Sequence, residues 1–128
     1  MQIKFVSVMV QEQEADLKFY TEKLGFTKAA DIPMGQYRWL TVTSPDGVDG
    51  CELVLEPMGF APSKDFQKTL FGAGIPATAF ITKDIDAEHA RLLAAGVKFR
   101  GTPVQMGPIK TVLFEDTCGN LINLVQPA

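Results

Sequence analysis

At 128 residues the chain has one domain's length with room for a real core, and 46% apolar with 21% charged residues is ordinary for a soluble globular protein. A net charge of −3 without any Lys/Arg run argues against nucleic acid as a partner, and no apolar stretch is long enough to span a bilayer. The N-terminal MQIKFVSVMV alternates like a strand and has no small-residue cleavage site, so the expected location is cytoplasmic.

Residues 3–10 alternate, with Val6, Val8 and Val10 on one face and Phe5, Ser7 and Met9 on the other, which predicts a strand. Residues 12–23 place Leu17 and Tyr20 at helical spacing, and Gly25 follows as a stop. A short strand is expected over 26–29, then the loop DIPMG, a strand over 37–43, the hairpin turn SPDGVDG and a strand over 51–56. Residues 58–74 form an ordered connector, with Ser63 as helix N-cap and Phe66, Leu70 and Phe71 as anchors. The second half predicts a strand over 77–82, a helix over 85–95, a strand over 97–100, the loop GTPVQMGP, and strands over 109–115 and 121–126.

The two halves therefore read as one βαβββ module written twice, at a shift of 71 or 72 residues. Gly47 falls on Gly119 at 72, and Gly25 on Gly96 at 71. ELV at 52–54 falls on NLV at 123–125, so Glu52 and Asn123 are repeat partners. The expected fold class is α+β, one domain of two modules, 1–57 and 75–128, joined by the connector 58–74.

The side-chain inventory is restrictive. A single histidine, His89, lies on a helical stripe with Ile85 and Leu92, which suits a partly buried structural residue better than a ligand. Cys51 and Cys118 match no metal or redox spacing and read as reduced thiols.

The tandem βαβββ order, with FYTEKLGF, RWLTVTSPDG, ELVLEP, KDIDAEHARLLAAGVKF and VLFEDTCGNLINLVQ in sequence, resembles the vicinal oxygen chelate superfamily of glyoxalases, bleomycin-resistance proteins and extradiol dioxygenases. The resemblance implies a curled sheet around a cleft and a homodimer. It also implies four strand positions for metal ligands, which here fall on Phe5, Glu52, Ala77 and Asn123. Phe5 and Ala77 cannot ligate, Asn123 is a weak donor, and Glu52 alone is a good one, so no metal cofactor is expected.

Alternation nominates the cleft lining. Phe5 and Ser7 come from the first strand, Glu52 from the fourth, Ala77 from the fifth, and Leu121 and Asn123 from the last. Phe5 is read either as a stacking platform or as filler of a collapsed metal position. Trp39 is read as a second platform or as packing, and Arg38 as a cation for an anionic group if it faces inward. Met34 and Met106 are adaptable lips of the cleft or ordinary loop residues. The resulting expectation is a metal-free protein that binds a small organic molecule. The alternative is a glyoxalase-type lyase or isomerase with Glu52 as general base or sole strong ligand.

Overall fold

The computed structural model describes residues 1–128, and the fold is α+β, with eight strands in two mixed four-stranded sheets and three helices. The chain divides into two compact units, Met1–Asp65 and Phe66–Ala128. No helix is long and apolar enough to cross a membrane.

In the first unit the strands β1 (Phe5–Val10), β2 (Thr27–Met34), β3 (Tyr37–Thr43) and β4 (Glu52–Pro57) stand in the order β1-β4-β3-β2, with β1 parallel to β4. Helix α1 (Gln13–Lys18) begins where the Glu12 carboxylate accepts from the Glu14 and Ala15 amides at 3.1 and 2.6 Å, satisfying donors that have no intrahelical partner. Val8, Val10, Leu40, Val42, Leu53 and Leu55 are buried together with Leu17 and Tyr20 of the helical segment. Each such side chain contributes about 1.5–3 kcal/mol on transfer from water.

The second unit repeats this plan with β5 (Thr78–Ile81), β6 (Phe99–Met106), β7 (Ile109–Glu115) and β8 (Leu121–Pro127) in the order β5-β8-β7-β6. Helix α3 (Ile85–Ala94) is capped by Asp84, which accepts from the Ala87 amide at 3.1 Å. It buries Ile85 and Leu92, and ends in a Schellman arrangement around Gly96 (φ 89). The two helical segments differ by one residue, since Glu12 to Gly25 is 13 steps and Asp84 to Gly96 is 12. The extra residue is absorbed by a π-turn over Phe19–Lys23, where Leu24 N–H donates to Phe19 O at 3.2 Å.

Several sequence expectations are corrected. β2 and β6 run on to Met34 and Met106, through most of both expected loops, because the tight turns at Gly35 (φ 62) and Gly107 (φ 59) let the hairpins pair to their tips. Helix α2 (Ala61–Gly72) starts two residues before Ser63, whose N–H already bonds Phe60 O at 2.9 Å, so Ser63 is not its cap. Phe66 is exposed rather than an anchor. The buried side chain on α2 is Gln67, which donates to Cys118 O at 3.1 Å and Asn120 Oδ1 at 3.2 Å.

The units differ in one respect that bears on the site. β7 and β8 pair along their whole length, from Ile109↔Pro127 to Glu115↔Leu121. β3 and β4 are in register only at Thr41↔Val54 and Val42↔Leu53. Extending that register would set Arg38 against Pro57, which has no N–H to offer. The buried Gln13 amide takes up the gap. Its Nε2 donates to Arg38 O at 2.7 Å and to Leu55 O at 3.0 Å, and its Oε1 accepts from Arg38 N at 3.0 Å. A helix side chain thus stands in for a missing rung of the sheet.

Candidate functional site

The face of the first sheet opposite Val8 and Val10 carries Phe5, Ser7, Trp39, Thr41 and Glu52. Phe5 is the Cα partner of Glu52, and Ser7 of Val54, so their side chains share this face. Thr41 is also opposite Val54, which brings it onto the same side. The Phe5 ring stands edge-on to Trp39, with centroids 5.3 Å apart and planes at 84°, a favoured aromatic arrangement. Phe5 remains 45% exposed, so the pair presents ring surface rather than closing a core.

Glu52 is held from one side. Thr41 Oγ1 donates to Glu52 Oε1 at 2.6 Å, and the same Oγ1 accepts from Ala30 N at 3.1 Å. The amide occupies a lone pair on the hydroxyl and directs its proton to the carboxylate. Lys4 Nζ lies 3.7 Å from Glu52 Oε2 and 5.6 Å from the Phe5 ring centroid.

The second sheet has the same bond with a neutral partner. Thr111 is opposite Val125, and its hydroxyl donates to Asn123 Oδ1. Asn123 therefore holds the place of Glu52, as the 71-residue shift proposes. The shift does not carry to the outer strand. Asn123 is paired with Ala79, not Ala77, so the counterpart of Phe5 lies 74 residues on (79 minus 5). Ala77 precedes β5, and its N–H donates to Leu121 O at 2.8 Å. Leu121 shares the Asn123 face but is buried. β8 is positioned by the turn before it. The buried Asp116 carboxylate accepts from the Cys118 and Asn120 amides at 2.9 and 3.0 Å and from Asn120 Nδ2 at 2.7 Å, while Thr117 (φ 68) and Gly119 (φ 93) take left-handed conformations.

Arg38 does not join the others. Alternation turns it to the opposite face from Trp39, where Nε and Nη2 bind Asp31 side-on at 2.9 and 2.8 Å and Nη1 reaches Glu14 of α1 at 3.1 Å. These bonds hold the Asp31 carboxyl at about 2, below its ordinary 3.8, with Lys28 adding to the effect, and raise the Arg38 guanidinium above its usual value. Sequence reasoning missed Lys4, Thr41 and Thr111. Thr41 was within reach of it, being two residues from Trp39 on an alternating strand.

As a donor set for a resident metal these residues fall short. Glu52 stands beside Phe5, Asn123 beside Ala79, and no group of three His, Cys, Asp or Glu side chains converges, whereas a divalent transition metal takes three or four protein ligands. What the first face does offer is an aromatic edge and face beside a fixed carboxylate.

Similarity to known proteins agrees with this architecture. The uncharacterized protein YurT of Bacillus subtilis (strain 168) is 50% identical over 126 residues, covering 98% of this chain and 99% of YurT. The crystal structure of UcmS2 superposes with a TM-score of 0.84 at 30% identity, covering 98% of this chain and 97% of that one. TnmS3, an antibiotic binding protein from Streptomyces sp. CB03234, gives 0.79 at 31% identity over 100% and 97% of the two chains. The family model described as Glyoxalase/Bleomycin resistance protein/Dioxygenase superfamily matches residues 2–124, and the chain belongs to that superfamily.

Proposed function

We propose that the protein is a metal-independent binder of a planar small organic molecule, which docks on the Phe5 face of the first sheet against Phe5 and Trp39 with Glu52 fixing its orientation. The observation that carries this reading is the half-exposed edge-to-face pair of Phe5 and Trp39. Aromatic side chains beside a few precisely placed polar groups are the usual composition of a small-molecule site. The shortage of metal donors supports binding over metal-assisted catalysis, and TnmS3 supports an antibiotic-like ligand class.

The test is calorimetric titration and thermal shift of the purified protein against a panel of planar aromatic antibiotics and dyes. At least one compound should bind, and Trp39→Ala should weaken it tenfold or more, about 1.4 kcal/mol. Metal analysis runs alongside. Stoichiometric metal lost in Glu52→Ala would replace this reading with the glyoxalase-type alternative, and binding indifferent to Trp39 would overturn the docking on the aromatic pair.

A further inference from the structure

The position of Lys4 is not explained by stability. Its side chain is 47% exposed, and its ammonium lies beyond hydrogen-bond length from Glu52 Oε2 at 3.7 Å and 5.6 Å from the Phe5 centroid. An ion pair at this distance is weak, because the half-exposed ammonium stays hydrated and a long side chain must be ordered. Yet the two partners form a recognisable box. A carboxylate and an aromatic ring together attract an ammonium, the first by charge and the second by its quadrupole. The Thr41 hydroxyl, itself fixed by Ala30 N–H, ties down Oε1 and leaves Oε2 as the outward acceptor.

We infer that Phe5 and Glu52 form an ammonium subsite, occupied by the chain's own Lys4 when no ligand is present, and that the ligand is an aromatic molecule carrying a cationic amine that displaces Lys4. Lys4 precedes β1, so its side chain can leave without breaking the sheet. The second unit has no such subsite, since Asn123 is neutral and Ala79 replaces the ring. The subsite is therefore present once per chain.

This inference rests on the aromatic-binding reading above, and the probes separate the two. The 2-naphthyltrimethylammonium ion and 2-tert-butylnaphthalene have nearly the same shape and differ in charge, and neither titrates. Fluorescence titration of the full chain should give at least tenfold tighter binding of the ammonium, one per chain. Lys4→Met should tighten the ammonium several-fold and leave the neutral probe unchanged. Glu52→Gln, which keeps the Thr41 bond, should remove the preference. Equal affinity for both probes, or weaker ammonium binding in both Lys4→Met and Lys4→Gln, overturns the subsite while leaving the aromatic reading standing. Failure of both probes to bind overturns both.

Discussion

The Thr41 hydroxyl is the buried link between the backbone of one strand and the carboxylate of another, accepting from Ala30 N–H and donating to Glu52. Thr41→Val keeps the shape but strands the Ala30 amide and frees the carboxylate. A loss of about 2 kcal/mol is expected in urea denaturation, with a weaker response to Thr111→Val, whose hydroxyl donates to Asn123 but accepts from no backbone amide.

Acid should act through Asp31. Its carboxyl is held at about 2 against 3.8 when free, mainly by hydrogen bonding to Arg38. A depressed carboxyl stabilises the fold above the free value and loses that contribution as pH falls through the bound value. The stability gap between wild type and Asp31→Asn should be present above pH 3.8 and close as the pH approaches about 2. A gap that persists unchanged into the most acidic buffer would contradict the pairing. Urea midpoints across that range provide the measurement.

Gln13 is expected to be among the costliest polar positions in the first unit. Gln13→Ala leaves two carbonyls and one amide without their partner, and a loss of about 3 kcal/mol follows. Gln13→Glu should be nearly as harmful, because a carboxylate cannot donate to Arg38 O and Leu55 O. Hydrogen exchange at the Arg38 amide, which donates to Gln13 Oε1, should accelerate in Gln13→Ala.

His89 predicts the opposite sign. Its Nε2 is buried without a hydrogen-bond partner, and its ring lies edge-on to Phe99 with centroids 4.5 Å apart. His89→Leu removes the desolvated nitrogen and keeps the stripe with Ile85 and Leu92 apolar. A gain of about 1 kcal/mol, or roughly 4 °C in Tm, is expected by calorimetry.

The repeat was legible because hydrophobic alternation and helical spacing recur in the same order, and they placed β3, β7 and α3 to within a residue of their observed bounds. Register was less legible. The shift is 74 at β1 and β5, 72 at the helix caps, 71 at the helix-ending glycines and at Glu52 and Asn123, and 70 from Thr41 to Thr111. Loop lengths and one π-turn vary the count, and strand pairing is decided by partners that a linear comparison does not see. That is why Phe5 was matched to Ala77 rather than Ala79. The face of Arg38 could not be read either, because alternation separates it from Trp39 without saying which of the two turns toward α1.

The two halves share the threonine bond but not the charge at its far end. A hydroxyl can donate to a carboxylate or to an amide oxygen, more strongly to the first, so the bond survives an exchange of acid for amide in either half. The charge on each sheet face is thereby decoupled from the scaffold. A descendant of this chain can recolour one sheet face, anionic or neutral, by single substitutions at positions 52 and 123 and leave the backbone as it is.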